Sequence, residues 1–236
     1  MKMVVTDLTR MRSGHICVAG IDLETGHRVR PMNQQLRARL LRTHGGPFDI
    51  RAIVDLGQTR NIGKAPEIED VHFNPRKCVD CGDMPPDEFI ELCKRSVSGG
   101  LSSIGPDLIQ VGRSLVTPAG RGVCSLLLLR STKRPRIFID PWEKLRFTFS
   151  NNVELSVTDV RLYNEALTMP DPRKLTLLNS RLDTSSEVIL SFGLGRAWQQ
   201  PNDSMKRHYL QLNNIHLGGY PAWQLFQRPG ASSAGI

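Results

Sequence analysis

Short β-prone runs recur along the whole chain, broken roughly every 8 to 12 residues by Gly, Pro, Asn or Asp, and this rhythm most constrains the fold. It is the pattern of a small barrel or sandwich, in which each strand is short and each connection is a polar turn. Residues 3–6, 15–21 and 27–30, separated by turn signals at 12–14 and 24–26, read as a tightly coiled antiparallel meander ending at Pro31. Runs at 50–56 and 68–73 continue the series, and a second series follows at 123–131, 136–139, 145–149, 153–163, 188–192, 208–212 and 222–226. Helical signals are few. Pro85-Pro86 followed by residues 87–95, with acids in the first turn and Lys94-Arg95 at the end, is the clearest helix and is expected to cap a barrel. A shorter one is expected over 175–182 and a single turn over 36–41.

A chain of 236 residues can bury one large core or two small ones. The tract 96–122, rich in Gly and Ser, reads as a loose separator. The expected fold is therefore all-β with a short helical insertion near 86–96, comprising two small barrels in tandem over 1–120 and 121–236. The end of the chain, near 228–236, is small and polar and is expected to be disordered. Val5-Thr6-Asp7-Leu8-Thr9-Arg10 is echoed by Val157-Thr158-Asp159-Val160-Arg161, which suggests a duplicated barrel with the two copies in matching strands. The job expected of Asp7 and Asp159 is structural, turning or capping the chain after a strand.

The opening VTDLTRM with ICVAGIDLETGHRVRP, the central VTDVRLYN, and the late VILSFGLGRAW and YLQLNNIHLGGYP resemble the dual OB domain family of mostly prokaryotic proteins, over nearly the whole chain. The resemblance implies two OB-like barrels and a role in binding nucleic acid, and it brings no catalytic residues with it.

Charge points the same way. The net charge is +8, and clustered cations release counterions when they meet phosphate. Between Thr25 and Phe48 there is no acid, while Arg28, Arg30, Arg37, Arg39 and Arg42 accumulate. Arginine's planar fork holds phosphate bidentately and stacks on bases. The alternation of Arg28-Val29-Arg30 puts both arginines on one face, where an OB fold binds single strands across its second and third strands. Lys133, Arg134 and Arg136, with Arg130, Lys144 and Arg146 around them, form a second basic cluster that would extend the track. Arg196, Trp198, Lys206 and Tyr209 interleave cations with aromatics, as binding of unstacked bases requires, although a Trp near a strand end also serves as core. GLGRAW is no dinucleotide fingerprint, because no helical period follows its glycines.

Zinc is the one cofactor the residues raise. Cys78 and Cys81 have knuckle spacing, and His72 and Cys93 could complete a tetrahedral set, yet the second pair is split between a strand and a helix, so free thiols are the simpler reading. Cys17 and Cys124 fall in apolar strands. Glu67 and Glu69 alternate as on one polar strand face. No P-loop, nucleophile elbow or HExxH occurs. With no secretory h-region, no apolar stretch of membrane-spanning length and an odd number of scattered cysteines, a cytoplasmic protein with reduced thiols is expected. The function expected is a non-catalytic recognition module for DNA or RNA, single-stranded or structured, working with a larger protein complex. The alternatives are an adaptor that docks a partner chain through its barrels and an enzyme acting on nucleotides or nucleic acid through Asp7 or Asp159.

Overall fold

The computed structural model describes residues 1–219 except Gln35, Asn151 and Asn202. The expected strand at 222–226 and the tail at 228–236 lie outside the described residues.

Strand β1 (Lys2–Arg10) pairs antiparallel with β2 (Ile16–Asp22), and β2 with β3 (Arg28–Met32), which makes the expected meander. Beyond it come β4 (Ala52–Asp55), β5 (Arg60–Asn61) and β6 (Asp70–His72). β4 returns to pair antiparallel with β1, β6 lies parallel to β3, and β5 pairs with β6. Only residues 56–59 separate β4 from β5, so the two are arms of one bent strand. Gly57 takes a positive φ of 68° in the bend and donates its N–H to the Asp55 carboxylate at 2.8 Å. The ring then closes in the order first, second, third, fifth, fourth, first, which is the Greek-key ring of an OB barrel. β7 (Val79–Asp83) adds an outer strand against β4.

The second half repeats the ring with different joints. β10 (Leu126–Arg130) and β11 (Arg136–Ile139) are two arms of a bent first strand; β11 pairs with β12 (Leu145–Ser150) and β12 with β13 (Val153–Val157). Helix α2 (Pro172–Thr184), with Asp171 accepting from the N–H groups of Arg173 and Lys174, then leads to β14 (Val188–Leu194) and β15 (Arg207–Leu217). β14 pairs with β10 and β15, and β15 runs parallel to β13, which closes the same cyclic order. The chain is thus β-rich with two barrels, as its rhythm implies. Among the described residues, no helix is long and apolar enough to cross a membrane.

Four expectations change. The tract 96–122 is built structure: β8 (Ile109–Val111) and β9 (Ser114–Pro118) form a hairpin, and β9 pairs with β15. Its glycines mark turns between short strands that the composition alone hides. The strand expected over 153–163 stops at Val157, because the Asp159 carboxylate accepts the Arg161 N–H and turns the chain into a 3-10 helix at Val160–Leu162. The echoed segments are not equivalent copies, since one lies in the first strand of its barrel and the other follows the third. Instead they meet: Arg10 donates its N–H to the Thr158 carbonyl at 2.7 Å, and Thr9 bridges to Asp159. Lastly, α1 (Pro86–Arg95) spans the two halves, with Phe89 edge-on against His216 of β15 at 5.2 Å and the Lys94 ammonium on Glu187 at 2.9 Å.

One apolar core runs through the molecule, from Met3 and Val4 of the first barrel to Ile215 and Leu217 of the second. Strand β1 shows why. Residues 3–9 are buried without alternation, as in a strand covered on both faces. One face fills its own barrel and the other faces the second.

Candidate functional site

The outer face of the β1–β2–β3 meander is covered by β14 and β15. A bulge aims the central residue: Val5 is paired with Gly20 but Asp7 with Ala19, so Thr6 is the extra residue and Asp7 is turned toward the second barrel. Its buried carboxylate accepts from the Thr6 hydroxyl at 2.7 Å, from Arg28 Nη2 at 2.5 Å and from the Ser191 hydroxyl of β14. Burial alone would raise the Asp7 pKa, but the Arg28 charge and the two hydroxyl bonds outweigh it and hold the carboxyl below its ordinary value. Nearby, the Leu8 N–H donates to the Asn214 side-chain carbonyl at 2.9 Å.

Three further acids lock the seam. The buried Glu69 carboxylate accepts the N–H groups of Ser125 and Leu126, at 2.8 and 2.9 Å, and the Ser125 hydroxyl at 2.8 Å. Arg30 Nε donates to Asp70 at 2.6 Å, and Arg196 of the second half grips the other oxygen of Asp70 while reaching Glu67 at 3.2 Å. Glu67 and Glu69 are therefore not a solvated strand face. They precede β6, and both bind the second half.

Arg28 and Arg30 share one face and are spent largely on this seam, with side chains only 12% and 6% exposed. Arg42 is buried as well, held by Asp80 and Asp83 and by the Gly82 carbonyl. Arg37 and Arg39 stand exposed on the 3-10 turn that follows β3. Lys133 and Arg134 are exposed in the bend between β10 and β11, and Arg136 is exposed at the start of β11, where it lies over the Phe138 ring at 5.5 Å. Arg146 is tied to Asp140 at 2.8 Å. Trp198 is half-exposed and sits 6.1 Å from the Tyr209 ring, and Lys206 is exposed beside them. The set His72, Cys78, Cys81 and Cys93 does not assemble. Among the described residues no group of three or more His, Cys, Asp or Glu could hold a metal ion. Cys93 belongs to the core, where burial pushes its thiol up to about 12, and burial raises Cys78 to about 11, while Cys81 is exposed on β7.

Two cavities flank the locked part of the seam. One, of about 630 Å³, lies beside Asp22, Arg28 and Glu69. The other, of about 210 Å³, is walled by Cys17, Arg30 and Met32 from the first barrel and by Gly195, Gln211 and Asn213 from the second. A Cβ on Gly193 would meet the Asn213 amide that packs across it, so that amide would have to shift. Arg10 and Arg196 stand in the lining, as does His15, whose backbone bridges to Arg37.

The two OB rings, the locked seam and the cavity belong to a chain that matches the family model for a dual OB-containing domain over residues 1–215. The chain is a member of the dual OB-containing domain family. No curated protein and no solved structure matches it significantly. Within this dual OB chain, three groups went unassigned in the sequence. Arg10 sits in the echoed motif, and its guanidinium bonds the Leu167 carbonyl at 2.5 Å. Gln211 and Asn213 share a face of β15 with Tyr209, a period-2 signal visible in the string YLQLN. Trp142, 75% exposed in the turn between β11 and β12, is signalled only by the turn sequence Asp140-Pro141-Trp142.

Proposed function

We propose that this dual OB protein binds single-stranded nucleic acid as a non-catalytic recognition module. The observation that carries the reading is the cavity opening at the barrel seam with Arg10 and Arg196 in its lining, beside exposed Arg37 and Arg39 and the half-exposed Trp198–Tyr209 pair. Binding of unstacked strands needs a cationic path for the backbone and aromatic faces for bases, each stacked base contributing about 1–3 kcal/mol. Exposed Arg37 and Arg39 supply phosphate contacts that the buried Arg28 and Arg30 do not. The basic bend at Lys133, Arg134 and Arg136 offers the same chemistry on the second barrel.

The test is fluorescence anisotropy with labelled single-stranded DNA, single-stranded RNA and duplex across a salt series. Single strands should bind with affinity falling steeply in salt. Removing two phosphate contacts by the double substitution Arg37→Ala/Arg39→Ala should make the log–log salt slope shallower by about 1.4. No binding to any strand at low salt would reject the reading.

A further inference from the structure

The turn between β11 and β12 displays a large ring on a fixed frame. The buried Asp140 carboxylate accepts the N–H groups of Trp142 and Lys144 with one oxygen, both at 2.9 Å, and Arg146 Nε with the other at 2.8 Å. The turn is thereby tied to β12, yet Trp142 is 75% exposed. Trp and Arg are among the residues that dominate binding surfaces. The same hairpin holds a guanidinium ready for an acceptor. Arg146 Nη1 donates to the Ser156 hydroxyl of β13 at 2.9 Å, so two of its three nitrogens are fixed. Its Nη2 has no partner among the described residues and keeps access to solvent, on a side chain 24% exposed. The cost of ordering this side chain is met before any ligand arrives. Register sets Arg146 opposite Phe138 and Arg136 opposite Thr148, on the outward face that alternates with buried Ile137, Leu145 and Phe147. From residue 130 to 146 six cations stand against two acids, Asp140 and Glu143. Arg130 and Arg134 reach Glu187 and Asp183, while Lys133, Arg136 and Lys144 are exposed and make no ion pair among the described residues. This face also adjoins the seam. The Tyr163 ring lies under the Arg10 guanidinium at 4.9 Å, and burial raises the Tyr163 pKa while the Arg10 and Arg146 charges both oppose the rise.

We propose that the β11–β12 hairpin is a second seat for the same bound strand, in which Arg146 Nη2 donates to a backbone phosphate, Lys133 and Arg136 add charge beside it, and one base stacks on Trp142. A displayed ring next to a fixed cation suits a base and its phosphate, and every base has a π face, so the seat is indifferent to sequence. Arg10, in the lining of the seam cavity, and Arg146, in the seat, act on the one Tyr163 ring, so the two cationic regions adjoin. That continuity favours a nucleic-acid strand over an acidic peptide. This inference rests on the proposed binding of single strands and adds a contact on the second barrel, away from the seam.

The experiment measures the affinity of the full chain for labelled oligo-dT and oligo-U of about 20 nucleotides, longer than the roughly 4–16 that one OB barrel occupies. Trp142→Ala should weaken binding by roughly 5- to 150-fold, the worth of one stacked base, and leave the log–log salt slope unchanged because stacking releases no counterions. Trp142→Phe keeps a ring and should recover most of the loss. Lys133→Ala/Arg136→Ala should instead make the salt slope shallower by about 1.4. Thermal melts of all three variants serve as the folding control, and exposed positions should leave them at the wild-type value. Unchanged affinity in Trp142→Ala, with salt-sensitive binding retained, overturns the second seat, leaves the proposed function standing and hands the hairpin to a partner of another class. A loss that Trp142→Phe does not restore overturns stacking as its cause. No binding of the wild type to any strand overturns both readings.

Discussion

His216 shows what the seam does to a single titratable group. It is fully buried on β15 against Phe89, and burial first, then the nearby Arg161 charge, drives its pKa down to about 3. A histidine that must stay neutral when folded but charges readily when unfolded makes the unfolded state bind more protons between about pH 6.5 and 3. Stability from this group is therefore complete above 6.5 and is lost as the pH falls, by up to about 1.4 kcal/mol per pH unit. Urea unfolding at pH 7.5, 6.0 and 5.0 should show this fall in the wild type, and His216→Gln should flatten it relative to wild type over the same range. Equal slopes in the two proteins would show that His216 is not held neutral. Little of this was legible in the sequence. That Asp159 turns the chain after a strand follows from residue type, because its partner Arg161 is two positions away. Asp7, by contrast, finds Arg28 and Ser191 at separations of 21 and 184 residues, and no local pattern reveals a counter-ion that distant. The same blindness hid the burial of Arg28 and Arg30, whose shared face is a matter of period 2 but whose cover is a matter of tertiary packing.

At the scale of elements the sequence was more informative, because strand periodicity and turn chemistry are local. The meander and both helices stand where β-branched runs, glycines and prolines call for them, whereas the bending of β4 into β5 and of β10 into β11 was not marked in the sequence. What escaped was pairing over long distance, such as β9 against β15, and the long β15 itself, whose polar Gln211, Asn213 and Asn214 disguise a buried strand. Strand spacing also exposes one position that nothing but glycine fits. A Cβ on Gly20 of β2 would run into the Val4 carbonyl of the neighbouring β1, a backbone atom that cannot step aside alone. Gly20→Ala is expected to cost about 1–3 kcal/mol, the usual range for overpacking. By contrast Gly26, in the next turn, has nothing within 4 Å of such a Cβ, and its cost should come from its positive φ alone. Chemical denaturation of the Gly20 variant measures the difference, and an unchanged midpoint would refute the close approach of the two strands.

For the whole molecule, the decisive fact is that the barrels share a core and a buried polar seam. Glu69 on one side and Ser125 on the other cannot separate without leaving a buried carboxylate short of its three donors. Calorimetric unfolding of the full chain should accordingly give one transition, with calorimetric and van't Hoff enthalpies in agreement, and two resolved transitions would show that the barrels fold independently. Tandem modules joined by a slack tether gain affinity through effective concentration, which depends on linker length and falls as the tether grows. The closed seam removes that arithmetic. Under the proposed function a strand would meet one continuous surface rather than two modules in succession, so its affinity would be set by that surface and not by the length of a linker.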